Sequence, residues 1–442
     1  MVLKPRALIE RLLQRNMLHY GGALVARGLE VIGKFGLYML AARLMGGHDA
    51  GLFFLCLTWV NLSSTAARMG LERAMSRHIA AELAVGHGHA ARRAMLTGLG
   101  WTALASLAAA GLTLLVAGPA AHLLFHQDDL ARPLMIAALI LPPQTLAFAI
   151  GFVLVGLNRG VAAQMVQSAL PPLLSLAALV AGLDRLDMVL TVYACSYTVC
   201  ALIGVGFIAR DWRGKMIERH EPGETVPEAL PSLWTTAWPF LTIELVQVSL
   251  LSLPVLILGV FADARSVAEF SIVGRLTMLI NTILVSVALI AAPAFARHHR
   301  RHEYEALRRV ERQTRLLAMA VCLPGIAIMM IFPKLLLSLL GSEFAAASTA
   351  LIVLALGQIV NTLLPTQDMM LSMTGHGRTL RRLNLQQLLV CLVLSAVLIP
   401  NFGLMGAAIL STICLIQGRV SFALAVRRVL PELSPPPRPV AA

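Results

Sequence analysis

Long apolar stretches alternate with short polar ones along the whole chain. Residues 94–127, 133–158, 160–183 and 188–209 carry no Lys, Arg, Asp or Glu, and each exceeds the roughly 20 residues a helix needs to cross a bilayer. Closing each apolar run at the nearest charge or Gly/Pro/Asn cluster predicts twelve spans. They fall at 17–43, 50–68, 94–120, 133–157, 160–183, 188–209, 233–260, 268–295, 315–339, 344–372, 381–400 and 403–426. The pattern predicts an amphipathic cytosolic segment at 1–16, six-helix bundles at 17–209 and 233–426, a polar cytosolic linker at 210–232 and a Pro-rich tail at 427–442.

Composition agrees with this pattern. Of 442 residues, 58% are apolar and only 13% charged, against about 25% charged in soluble domains. The net charge of +13 would suit nucleic acid, but its placement argues otherwise. Twenty-seven Lys and Arg flank the spans on one side and five on the other, which by the positive-inside rule puts both termini in the cytoplasm. Arg27, Glu30 and Lys34 interrupt the first apolar run, so it reads as a retained helix rather than a cleaved leader. The six cysteines lie within apolar spans without CxxC spacing and read as small core residues. His87 and His89, with His298, His299 and His302, cluster in cytosolic loops, where loop composition explains them better than a metal site.

The halves repeat at an offset of about 216 to 221 residues. Ser76-Arg77-His78 with Arg92-Arg93 matches Ala296-Arg297-His298 with Arg308-Arg309, and Gly156-Leu157-Asn158-Arg159-Gly160 matches Thr374-Gly375-His376-Gly377-Arg378. Ala42-Arg43-Leu44-Met45-Gly46 matches Leu258-Gly259-Val260-Phe261-Ala262. Six spans per half is an even number, so the expected fold is all-α, with two parallel six-helix bundles related by a pseudo-twofold along the membrane normal.

Ala41-Ala42-Arg43-Leu44-Met45-Gly46-Gly47, Ala50-Gly51-Leu52-Phe53, Gly70-Leu71-Glu72-Arg73-Ala74 and Arg77-His78-Ile79-Ala80 resemble the opening of polysaccharide flippases. These include the O-antigen flippases and belong to the multidrug/oligosaccharidyl-lipid/polysaccharide exporter superfamily. The turn Gly156-Leu157-Asn158-Arg159-Gly160 is similar to theirs too. The resemblance implies a V-shaped pair of bundles in the inner membrane that moves a lipid-linked oligosaccharide, a lipopolysaccharide or exopolysaccharide precursor, to the periplasmic leaflet by alternating access. It implies no resident cofactor, membrane lipids as surroundings, and polymerase or glycosyltransferase machinery as partners. Gly259-Val260-Phe261-Ala262 lacks the arginine of the first-half turn, which leaves the role of Arg43 asymmetric.

Seven ionised groups fall inside predicted spans: Arg27, Glu30, Lys34, Glu244, Arg275, Asp368 and Arg419. At about 2.5–3.5 kcal/mol each they are too costly to face lipid. Arg27, Glu30 and Lys34 share one helical face. Two readings stand for them, a self-neutralising ladder that serves packing, or a cationic lining of Arg27, Lys34, Arg275 and Arg419 for a diphosphate or acidic sugar. Arg27 could also snorkel to the headgroups. Glu30, Glu244 and Asp368 are then candidates for coupling to H+ or Na+. Gln358, Asn361 and Gln367 form a polar cluster near Asp368, beside Pro365, which removes a helix donor.

A drug or small-solute exporter is the alternative function. Exporters of cationic drugs need an acidic lining, whereas four cations face three anions here. An embedded glycosyltransferase would need a large outer loop, and the longest, near 119–132, is short. A monomer is expected, since one chain holds both halves.

Overall fold

The computed structural model describes residues 5–215 and 231–429, with side chains described for Gly22, for 25–211 and for 231–429. The amphipathic face expected at 1–16 lies outside these described side chains, and most of the linker and tail lie outside the described residues. Every regular element among the described residues is helical. The first half comprises α1 (Pro5–Arg68), α2 (Leu71–Ala84), α3 (Gly88–Pro119), α4 (Ala131–Gly156), α5 (Gly160–Gln164), α6 (Leu170–Val180) and α7 (Leu186–Lys215). The second comprises α8 (Leu233–Phe261), α9 (Ala264–Arg300), α10 (Tyr304–Ile331), α11 (Pro333–Ser338), α12 (Ser348–Leu363), α13 (Gln367–Met373) and α14 (Gly377–Val429).

Ten described helices are long and apolar enough to cross a membrane. Two of them are double. α1 breaks at Gly46 (φ 74°, ψ 170°) and α14 at Gly403 (φ 51°, ψ −127°), so each holds two crossings and the described residues hold twelve spans. Backbone of the kind at Gly46 is open almost only to glycine.

The repeat is written in the turns. Asn158 and Gly375 both have positive φ, and the next residue bonds back five positions, Arg159 N to Leu154 O at 2.8 Å and His376 N to Leu371 O at 2.9 Å. Gly86 and His302 match in the same way, with His87 N to Glu82 O and Glu303 N to His298 O both at 2.9 Å. These turns fix the register at 216 to 217, which corrects two of the sequence matches. Asn158 pairs with Gly375 rather than with His376, and Ser76-Arg77-His78 lies one helical turn away from the counterpart of Ala296-Arg297-His298. Short motifs in a helix repeat by chance every turn, whereas a left-handed residue marks one position.

The chain forms two compact units that divide at Val248/Ser249, inside α8. The charge pattern divides the chain earlier, at the polar linker. The cause is the start of α8, which packs on unit 1: Trp234 meets Trp101 edge-on at 5.7 Å, and Ala237 joins Leu71 and Ala74 in one buried cluster. Unit 1 buries Phe53, Phe54 and Tyr197. In unit 2, Phe295, Leu307, Met370, Leu371 and Phe422 pack together where the ends of α9 and α14 meet the starts of α10 and α13.

Candidate functional site

In unit 1 the first span buries Ala26, Glu30, Gly33 and Leu37 at the 4-3-4 spacing of a helix face, and the burial widens at Tyr38, Met39, Ala41 and Ala42. Gly33 and Gly36 allow α6 to approach, since a Cβ at either would fall 2.8 Å from a side-chain carbon of Leu173 or Leu176. Glu30 is therefore drawn against α5 and α6. Arg27 and Lys34 flank it, with Arg27 Nη1 donating to Glu30 Oε2 at 2.8 Å and Lys34 Nζ to Oε1 at 2.6 Å. Gln164 Nε2, at the end of α5, donates to Glu30 as well. The carboxylate side chain is 9% exposed while Arg27 and Lys34 are 48% and 35% exposed. The ladder geometry is thus present, and both cations keep accessible surface.

The chain after Gln164 winds as a π turn, Met165–Ala169. Its cause is legible: Pro171 and Pro172 cannot donate to the carbonyls four residues earlier, and π turns gather at functional positions.

A second polar node was not foreseen. Arg68, the last residue of the span expected at 50–68, is 7% exposed. It pairs with Glu72, donates to the Ser64 and Thr65 hydroxyls at 3.0 Å each and lies 4.7 Å above the Phe148 ring. Ser64, Thr65, Arg68 and Glu72 are spaced for one helix face, a signal present in the sequence. Glu244, expected within a span as a coupling carboxylate, pairs with Arg73 of α2, because the start of α8 lies along that helix.

In unit 2 Arg419 and Asp368, assigned different roles from the sequence, meet at 3.1 Å. Arg419 is 14% exposed and Asp368 42%. Asn361 Nδ2 donates to Gln358 Oε1 at 2.9 Å and to Asn281 at 3.4 Å, and Gln367 donates to Glu311 at 3.4 Å. The helix breaks at Leu364–Thr366 around Pro365, between α12 and α13. Arg275 is half-buried on α9. Glu30 stands 16 residues before Gly46 and Arg419 16 residues after Gly403, so each lies about 24 Å along its helix from its break.

At the loop ends the charges pair among themselves. Arg159 binds Asp211 at 2.7 and 2.9 Å, and those bonds hold its guanidinium above the ordinary arginine range. His87 pairs with Glu82 at 3.1 Å and His298 with Glu303 at 2.7 Å; at the 216 offset the histidine and glutamate have changed places. A cavity of about 1070 Å³ sits at the other end of unit 1, lined by His48, Asp49, Asp129, Arg132 and Asp187 among others. Arg132–Asp187 at 2.9 Å and His48–Asp129 at 3.6 Å span its rim.

The sequence profile described as "Polysaccharide biosynthesis protein" matches residues 22–299. The chain belongs to this family. A second profile, MatE, matches residues 239–398 of this family member. No protein of curated function matches it significantly.

Among solved structures, the inward-facing form of a multidrug resistance MATE transporter of the MOP superfamily superposes with a TM-score of 0.71 at 16% identity, covering 93% of this chain and 98% of the other. The lipid II flippase MurJ, in an inward closed conformation, gives 0.72 at 13% identity, covering 92% and 87%. A MOP superfamily transporter from Pyrococcus furiosus gives 0.60 at 14%, covering 94% and 95%. At these identities the likeness is one of fold, the two-lobed twelve-helix fold of that superfamily. The chain is a multi-pass membrane protein, and the solved proteins that share its fold are transporters and a flippase.

Proposed function

We propose that this transporter flips a lipid-linked oligosaccharide from the cytoplasmic to the periplasmic leaflet of the inner membrane by alternating access, with both termini cytoplasmic. The observation that carries this reading is the pair of accessible cations, Arg27 and Lys34, flanking a buried carboxylate in a chain of the polysaccharide biosynthesis family. A guanidinium and an ammonium replace the water that a diphosphate loses on entering a span. Arg275 and Arg419 are candidates for further contacts to an acidic cargo, and Gln358, Asn361 and Gln367 for contacts to its sugar hydroxyls. Arg419 shares its charge with Asp368, which ranks it behind Arg27 and Lys34. Glu30, Glu244 and Asp368 remain the candidates for coupling to H+ or Na+. The protein works as a monomer alongside polymerase or glycosyltransferase partners.

The test is mass spectrometry of polyprenyl-linked saccharides in a deletion strain, with surface polysaccharide scored in the same cells. A finished lipid-linked unit that accumulates while surface polymer disappears supports the flippase and identifies the cargo.

The second reading is a multidrug or small-solute exporter. It is favoured by the MatE match over residues 239–398 and by the MATE neighbours. Normal lipid-linked pools and normal surface polymer in the deletion strain would turn the assignment to it.

A further inference from the structure

We propose that Glu30 is a displaceable counter-ion: a cargo diphosphate takes its place between Arg27 and Lys34, and the displaced carboxylate binds a proton. The inference rests on the cationic reading of this site given above.

The two Glu30 oxygens are divided between the cations, Oε2 to Arg27 at 2.8 Å and Oε1 to Lys34 at 2.6 Å. A phosphate group presents oxygens at a similar spacing and charge, so it fits the same pair of donors. Arg27 and Lys34 have the exposure to meet it; Glu30, at 9%, does not. The cations are thus open to an incoming anion on one side and held by a resident anion on the other.

Charge counting gives the proton. The empty ladder has two cations and one carboxylate, a net single positive charge. A diphosphate that joins a lipid to a sugar carries two negative charges. Binding to the ionised ladder would leave one negative charge in a poorly hydrated place, and burial of an uncompensated charge is costly. Taking up one proton from water converts the Glu30 carboxylate to the acid, raises the seat to two positive charges, and leaves the loaded seat neutral. No other reactant is required.

The surroundings of Glu30 favour that outcome. Arg27 and Lys34 are the charged groups that act on it. From the neighbouring helix α5 comes the Gln164 amide, and one turn further along α1 Gly33 packs against Leu173 of α6. Once the cations turn to phosphate, the Gln164 amide remains beside a side chain that is 9% exposed, and a carboxyl in such a place holds its proton. The Gln164 amide can serve either form, accepting from the acid through its oxygen or donating to the carboxylate through its nitrogen.

The experiment is isothermal titration of the purified full-length protein with farnesyl-diphospho-N-acetylglucosamine, whose diphosphate diester does not titrate near neutrality. Repeating it in HEPES and Tris buffers, which differ in ionisation enthalpy and contain no phosphate, at one pH counts the protons taken up. The wild type is expected to bind about one proton per diphosphate and to lose affinity about tenfold per pH unit between pH 6.5 and 8, the slope of a single linked proton. Glu30→Gln, with its seat already doubly positive, should bind more tightly, take up no proton and show a flat profile; Glu30→Asp should keep the proton uptake. A wild type that binds without proton uptake, or a Glu30→Gln variant with undiminished uptake, overturns the inference while leaving the cationic site standing. Absent binding, or equal binding by the Arg27→Ala/Lys34→Ala variant, overturns the cationic site and the counter-ion exchange with it.

Discussion

Arg419 Nη1 lies 3.1 Å from the Asp368 carboxylate and ties α14 to α13 across 51 residues of sequence. The arginine is the more buried partner, so the pair is asymmetric: removing the carboxylate strands a buried cation, whereas removing the arginine leaves a half-exposed carboxylate. Asp368→Asn should cost about 1–3 kcal/mol, less than a fully buried pair because Asp368 is partly solvated. Arg419→Met should cost less. The exchanged pair Asp368→Arg/Arg419→Asp should recover much of the loss, read as thermal unfolding of the detergent-purified protein.

Arg68 and Glu72 are both deeply buried, and the single variants should be far worse than the double. Arg68→Met leaves an unpaired carboxylate and should cost about 3–5 kcal/mol. Arg68→Met with Glu72→Leu should return close to wild-type stability, because a buried ion pair replaced by apolar groups of similar volume is often neutral. A double-mutant cycle on unfolding midpoints checks this.

Gly70 marks the break between α1 and α2, with φ 69°. A Cβ there would fall 2.3 Å from the Ala237 carbonyl oxygen and 2.5 Å from the Leu241 nitrogen, both backbone atoms that no side-chain rotation can move. Gly70→Ala should therefore lose more than about 2 kcal/mol, combining left-handed strain with displacement of α8. Gly100, exposed on α3 with nothing within 4 Å of its Cβ position, is the control, and Gly100→Ala should leave the melting temperature unchanged or slightly raised.

The cationic site predicts a split between transport and assembly. Arg27→Ala with Lys34→Ala should abolish transport while the protein still reaches the membrane, whereas Arg301→Ala, on the exposed turn after α9, should be mild. Surface polysaccharide in complemented deletion cells, with immunoblots of the membrane fraction, provides the measurement. Transport by the double variant equal to wild type would remove both cations from the mechanism.

Asp368→Asn and Glu244→Gln test coupling. Each carboxylate already has an arginine partner, Arg419 and Arg73, so both variants should lower stability. A change in the pH or sodium dependence of transport is the result that distinguishes coupling from a structural pair.

Much of this protein was determined by the sequence alone. Twelve crossings follow from run length, because a bilayer accepts a helix only if about 20 successive residues are apolar. The repeat was legible from short motifs, although its register needed the left-handed residues at Asn158, Gly375, Gly86 and His302 to place it. The ladder of Arg27, Glu30 and Lys34 was readable because i, i+3 and i+7 are neighbours on any helix. Arg68 among Ser64, Thr65 and Glu72 had the same local signature and was obscured by its place at a span end. Tertiary packing alone decided that Arg419 faces Asp368, that Glu244 faces Arg73, and that Gln164 closes on Glu30 from 134 residues away. Helix periodicity places a side chain on a face, but which other helix meets that face depends on close packing such as that at Gly33, Gly36 and Gly70, which is a property of the assembled units.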